Sequence, residues 1–297
     1  MIPEQKRRLL IIGASGFIGQ RLALMAADAY DVFLADLAEP AKPNEVRMDV
    51  TDPASVLAGF DAVCPQVVVM LAAIADIDQC ERQPELAKAV NVDGAVRVAE
   101  QCARRGVRLV YTSSAAVYDG SRHGYSEEDP PTPVSVYGRT KAQAEVELRR
   151  ILPDAIILRP ALVLGFSAAA PTNAMLNKLA GSLRAGQIVR VPDYEYRNPI
   201  DADTICRATL CLAGSEQARG IYHIGAADSI SRFELVCRLA NKMGFSRALV
   251  EAQREPLPGR APRGFDHFLL TSRLSRETGL EMPTCDQVLE RCLYATA

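Results

Sequence analysis

Through its first half the chain alternates short, almost unbroken apolar runs with longer stretches that turn polar every three or four residues. "RRLLIIG", "DVFLAD", "EVRMDV", "PQVVVMLAA", "VRLVYTSS" and "DAIILRP" predict six strands. Between them "FIGQRLALMAADA", "PASVLAGF" and residues 84–106 carry helical periodicity, and a further helix holds Tyr137. Pro84 suits the first turn of its helix, and Gly106 suits its end. Strands that are apolar at nearly every position have no solvent face. The pattern therefore predicts a parallel sheet covered by helices on both sides, a doubly wound α/β fold.

From about residue 166 the rhythm changes. "TNAMLNKLAGSLRAG" predicts a helix, "QIVRVP" a short strand, and another helix starts near Asp203. "GIYHIG" has the pattern of a strand that returns to the main sheet. "SRFELVCRLANKMG" and residues 284–294 predict two more helices, with the Pro-, Gly- and Arg-rich "REPLPGRAPRG" between them. The chain then divides into a sheet domain, residues 1–165 completed by segments near 197–226, and a smaller lobe from residues 166–196 and 227–297. A lobe of this kind closes a cleft over the carboxyl ends of parallel strands.

The 297 residues are 48% hydrophobic and 24% charged, with a net charge of −2. That balance gives no footing for nucleic-acid or membrane-surface binding, and no apolar run reaches the roughly 18 residues of a membrane span. "MIPEQKRRLLIIGASG" sets basic residues before an apolar run, as a signal peptide does, but glycines interrupt it after "LLII". It reads as the approach to a buried strand, and the expected compartment is the cytoplasm. Eight scattered cysteines without a CxxC pair, in apolar settings such as "DAVCPQVVVM" and "ATLCLAG", read as buried free thiols. His123, His223 and His267 lack metal-ligand spacing, so no metal is expected. His223, alternating with apolar neighbours, reads as structural.

The first strand runs directly into "IIGASGFIG". Gly13, Gly16 and Gly19 sit where a strand–turn–helix unit needs a tight turn, close approach of a pyrophosphate, and close packing of helix on strand. Ser15, Phe17 and Ile18 lie among them, at a helix N-terminus whose N–H groups attract phosphate. Asp36 ends the second strand 17 residues after Gly19. A carboxylate there accepts hydrogen bonds from ribose hydroxyls and repels a 2′-phosphate. NAD is therefore the expected cofactor, with NADP left open by Lys42 and Arg47 nearby. Asp49, followed by Val50 in "RMDVTD", belongs either at the adenine edge or in an ordinary turn.

"SVYGRTKAQAE" places Tyr137 and Lys141 four residues apart, neighbours on one helical face. An ammonium beside a phenol favours the phenolate and lowers its pKa from about 10. Tyr137 is thus expected to exchange a proton with a carbonyl or alcohol oxygen near neutral pH. "YTSSAAVYDG" ends a strand with Ser113 and Ser114, which can hold that oxygen. With a nicotinamide site beside them, these parts specify hydride chemistry at a carbonyl.

Together with "LAAIA", "NVDG" and "LRPALVLG", these motifs resemble the extended short-chain dehydrogenase/reductase family over nearly the whole chain. More narrowly, "VYTSSAAVYDGSRHGYSEEDPPTPVSVYGRTKAQAE" and "PRGFDHFLLTSRLSRETGL" resemble dTDP-4-dehydrorhamnose reductases. The resemblance implies Ser114, Tyr137 and Lys141 as the catalytic trio: Tyr137 the acid/base, Lys141 on the nicotinamide ribose, Ser114 on the substrate oxygen. It places Leu71, Ala72, Ala73, Asn91 and Pro160 beside the cofactor. A nucleotide-linked sugar is the implied substrate. Asn173, Arg197, Arg260 and Arg263 are candidates to touch it, the arginines through its diphosphate. Homodimers are common in the family.

Ala115 and Ala116 depart from the pattern, because those reductases usually carry an acidic residue and a tyrosine there. Small residues at these places are a feature of sugar-nucleotide 4-epimerases. Two methyl groups cannot supply the acid/base pair of a 4,6-dehydratase. The expected activity is NAD(P)H-dependent reduction of a keto group on a nucleotide-linked deoxysugar, with a 4-epimerase as the nearest alternative. The alternative of another class is a non-catalytic dinucleotide-binding subunit, of the kind that serves methionine adenosyltransferase.

Overall fold

All six apolar runs of the first half become strands of one parallel sheet. They are β1 (Arg7–Ile12), β2 (Tyr30–Asp36), β3 (Glu45–Arg47), β4 (Val67–Met70), β5 (Arg108–Thr112) and β6 (Ile156–Pro160). The computed structural model describes residues 6–166, 175–256 and 259–294. Beyond β6 come short pairs: β7 (Val163–Leu164) with β10 (Ile200–Asp201), and β8 (Val189–Pro192) with β13 (Val250–Gln253). β9 (Tyr196–Arg197) pairs with both β12 (Ile230–Ser231) and β14 (Asp266–His267). The "GIYHIG" run is β11 (Gly220–Ile224), which returns to the main sheet parallel to β6. The sheet order is β11-β6-β5-β4-β1-β2-β3.

Alternation along the strands explains both layers. Leu9, Ile11, Val67, Val69, Val110, Ile156 and Leu158 face one core, shared with α1 (Phe17–Ala26) and α8 (Ala202–Gly214). Leu10, Ile12, Val68, Met70, Leu109, Tyr111 and Ile157 face the other, under α2 (Pro53–Val63), α5 (Ala95–Arg105) and α6 (Val136–Ile151). Each fully buried Val, Leu or Ile contributes roughly 1.5–3 kcal/mol, and a polar residue on either face would forfeit it. This is why the strands read as continuous apolar runs.

The helix expected over 84–106 is α4 (Pro84–Lys88), a π-helical turn (Ala89–Gly94) and α5, ending at Gly106 with φ +63°. At Gly94 an added Cβ would lie 2.8 Å from Val50 Cγ2, so glycine permits this close seating. α3 (Ile77–Arg82) and α10 (Ser272–Thr278) are too short to show a period in the sequence. α7 (Met175–Arg184), α9 (Arg232–Lys242) and α11 (Cys285–Tyr294) match the expected helices of the second half. Their Leu176, Leu179, Leu235, Leu239 and Leu289 join the same core as Leu9 and Ile11.

One expectation is corrected here. Six cysteines are buried, but Cys64 and Cys211, from the two apolar stretches quoted above, are exposed. Cys64 caps α2 in the left-handed region at φ 45°, beyond the buried turn; Cys211 lies on the outer face of α8. No helix among the described residues is long and apolar enough to cross a membrane.

Candidate active site

β1 lies between β2 and β4, so the chain leaves the sheet in opposite directions on its two sides, and a crevice opens at the strand ends. There the structure has a cleft of about 870 Å³, near the upper end of the roughly 300–1,000 Å³ usual for small-molecule sites. One wall is the glycine turn with the ends of β4, β5 and β6. The other is formed by Glu195, Arg197, Arg232 and the 260–264 segment.

Gly13, Ser15, Gly16, Phe17, Ile18, Gly19, Leu71, Ala73 and Pro160 all line this cleft, as expected. Gly13 turns the chain at φ +86°, and a Cβ there would meet Ala72 N at 2.6 Å. The α1 N-cap is Gly16 and offers no side-chain cap, so the first-turn N–H groups point out of the helix without an intrahelical acceptor. Asp36 holds the loop: its Oδ2 accepts from Ser15 N at 2.9 Å and its Oδ1 from Leu37 N at 2.8 Å. An uncapped helix end, a glycine at the approach and a carboxylate at the β2 end fit a dinucleotide.

Asp36, Asp49, Val50, Ala72 and Asn91 are not among the residues lining the cleft. Asp49 closes a turn by accepting from Thr51 N and Oγ1, bonds that hold its carboxyl below the usual range. Asn91 is a clamp: its Oδ1 accepts from Ile74 N, and its Nδ2 donates to Ile74 O and Thr140 Oγ1. It thereby fixes the loop after β4 against α6. Asn173 lies outside the described residues.

Ser114, Tyr137 and Lys141 converge on one wall. Ser135 caps α6, accepting from Gly138 N at 3.1 Å, and Glu81 Oε1 accepts from Val136 N at 2.7 Å. A Cβ on Gly138 would fall 2.1 Å from Ala116 O, so glycine lets the first turn of α6 rest on the Ser114–Val117 turn. Lys141 Nζ donates to Thr112 O at 2.9 Å and sits 4.8 Å from the Tyr111 ring centroid.

The expectation of a tyrosine made more acidic by Lys141 is not met. Burial pushes the Tyr137 phenol up to about 12, against the downward pull of a hydrogen bond with Ser114; Lys141 is not among the groups that move it. Spacing by four residues brings the two close, but the ammonium is directed at the β5 carbonyl and the ring is dry. Burial also brings Lys141 down to about 8, opposed by Glu145 and Cys80.

At the opposite wall a buried carboxylate, Glu195, gathers three arginines. It accepts from Arg260 Nη1 at 2.6 Å, Arg232 Nη1 at 3.0 Å and Arg197 Nη2 at 3.3 Å. Burial pushes Glu195 upward, but the three guanidinium charges outweigh it and hold it low. Arg197 is mostly consumed by structure, donating also to the carbonyls of Tyr196, Gly264 and Phe265, and burial takes it to about 10. Arg232 Nε is buried without a hydrogen-bond partner among the described residues. Arg263 spans to Asp78 at the start of α3, at 2.8 and 3.2 Å. Sequence reasoning missed Glu195 and Arg232, which the antiparallel pairing of Ser231 with Tyr196 brings together.

Fold and cleft together define a Rossmann-type dehydrogenase/reductase of the extended short-chain kind. Residues 7–297 match the family described as RmlD substrate binding domain, and the chain belongs to that family. The dTDP-4-dehydrorhamnose reductase of Sinorhizobium fredii is 29% identical over 310 residues, 97% of each chain. Methionine adenosyltransferase 2 subunit beta of Danio rerio is 27% identical over 273 residues, 90% of this chain and 84% of that one. In fold, the crystal structure of dTDP-4-dehydrorhamnose reductase from Bacillus anthracis in complex with NADP has a TM-score of 0.88 at 23% identity, covering 98% of this chain and 100% of that one.

Proposed function

We propose that the protein is an NAD(P)H-dependent reductase acting on a keto group of a nucleotide-linked deoxysugar. The observation that carries this is the meeting of Ser114, Tyr137 and Lys141 on one wall of a cleft whose far wall holds Arg232 and Arg260. A bound dinucleotide supplies the hydride. The chain's own residues manage the oxygen. Ser114 Oγ holds it, and Tyr137 gives it a proton as negative charge develops there. Burial keeps the phenol neutral, the form that reduction needs. Lys141, held by Thr112 O on the same wall, would bind the nicotinamide ribose of the cofactor. The division into a cofactor part (1–165, with 197–226) and a substrate lobe (166–196 and 227–297) is part of the same reading.

The three arginines and Glu195 leave a net charge of +2, matched to the two charges of a diphosphate. Arg232 lines the cleft and can donate a charge-assisted hydrogen bond to one of the diphosphate oxygens. Arg232→Gln is expected to raise KM for the nucleotide-linked substrate by about 10–100-fold, the size of a lost charge-assisted hydrogen bond, with NADH affinity unchanged. A panel of keto-sugar nucleotides, followed by NADH oxidation, tests both. The absence of any turnover, together with co-purification of a partner enzyme, would move the assignment to a regulatory subunit.

NAD is favoured over NADP because the neighbouring cations are engaged: Arg47 pairs with Glu39 at 3.3 Å and Lys42 with Glu45 at 3.8 Å. Asp36→Ser is expected to shift the NADP-to-NAD affinity ratio toward NADP by about tenfold, equal to ~1.4 kcal/mol of relieved repulsion. Fluorescence titration with both reduced cofactors measures the ratio; an unchanged ratio removes Asp36 from the ribose site.

A further inference from the structure

α6 carries Tyr137, Lys141 and Glu145 at i, i+4 and i+8, along one face. Glu145 is 2% exposed. Its carboxylate accepts from Arg159 Nε at 2.9 Å, from Arg159 Nη2 and from Ser113 Oγ. Ser113 immediately precedes Ser114, and Arg159 precedes Pro160, both on the cleft. Arg159 Nη1 donates onward to the Tyr118 hydroxyl, which lies 2.9 Å from His223 Nε2 and donates to Ser126 O at 2.9 Å. Packing alone does not call for this arrangement, since apolar residues of similar volume serve at least as well as a buried ion pair. Its position one turn from Lys141 does give a reason.

We propose that Glu145 is a positioning residue for the reaction, a buried anion that holds the catalytic helix against the ends of β5 and β6 and sustains the charge of Lys141. The inference rests on the reductase reading for what Lys141 does. The groups facing Lys141 are Glu145 and Tyr137 on α6, Cys80 on α3 and Tyr111 on β5. Burial pushes Cys80 up to about 11 and Tyr111 well above its ordinary value, so both are neutral at physiological pH. Glu145, itself faced by Arg159, Tyr111 and Tyr118, is the anion among them. It pulls Lys141 upward against a burial effect that takes the ammonium to about 8.

The test is the pH dependence of NADH affinity in the full chain, read by fluorescence without substrate. An ammonium loses its charge as pH rises through its pKa, so the parent should lose affinity on an alkaline limb centred near 8. Glu145→Gln should move that limb to lower pH by about one unit. Because this variant leaves the buried Arg159 without a counter-charge, Glu145→Gln/Arg159→Met is measured beside it and should show a limb moved in the same direction. A folded paired variant whose limb stays in place overturns the proposal and leaves Glu145 as a structural brace. A parent that binds NADH with a movable limb but reduces no keto sugar would sink the reductase reading while supporting the role of Glu145.

Discussion

Replacing Tyr137 with phenylalanine is expected to lower kcat by about 10²–10⁴-fold, the usual worth of a positioned proton donor, while the protein still folds and binds NADH. The ring is 8% exposed and packs in a small cluster with Cys80 and Ala87, against Ile74, Ile77 and Ala116. Phenylalanine fills the same space, so no cavity opens. What is lost is the hydroxyl and its bond with Ser114, about 0.5–1.5 kcal/mol, small beside the stability of a domain. Lys141 keeps its bond to Thr112 O, so cofactor affinity should hold. The phenol lies near 12 in the parent. Its protonated form is therefore present throughout any practical assay, and no alkaline limb of the rate should be traceable to it. Steady-state kinetics and NADH titration of the same preparation separate the two effects. Turnover within a few-fold of the parent would remove Tyr137 from the chemistry.

The sheet was legible because its strands have no wet face: Val67–Met70 is buried at all four positions, and that is what "VVVM" announces. The glycine turn and the Tyr137–Lys141 spacing were legible because both are local, set by one turn and one helix. Glu195 and Arg232 were not. They are 37 residues apart, and what joins them is a two-residue antiparallel pairing with no periodic signature. The sign of the Tyr137 shift was also out of reach. Spacing reports which groups are near, whereas the phenol responds to how dry its surroundings are and to where the ammonium points. Arg197 shows the same limit. Its place beside the cleft was anticipated, but three backbone carbonyls occupy its guanidinium. Glu145 was in plain view in "YGRTKAQAE", one turn past the lysine, yet its partners come from β5 and β6.

The glycine turn should separate two kinds of failure that a sequence motif runs together. Gly19→Ala would set its Cβ 2.5 Å from Gly13 O and 2.8 Å from both Ala14 Cα and Ala14 O. Every one of these is backbone, so no side chain can swing aside and α1 must back away from β1. Overpacking of this kind costs about 1–3 kcal/mol or more, which in a chain of this size is a fall in Tm of roughly 2–10 °C. It should also weaken NADH binding, because the helix end that receives the pyrophosphate moves with α1. Gly16→Ala differs. The backbone there is at φ −67° and ψ 165°, ordinary for alanine, and the added Cβ has only Gly13 O within 4 Å, at 3.2 Å. Its methyl would stand in the open cleft, where a phosphate has to come against the backbone. Gly16→Ala should therefore melt within a degree or two of the parent and yet bind NADH at least tenfold more weakly, ~1.4 kcal/mol. Thermal melts and fluorescence titration of the pair decide it. If Gly16→Ala bound NADH as the parent does, the pyrophosphate would not rest on this turn, and the orientation of the dinucleotide toward Tyr137 would fall with it.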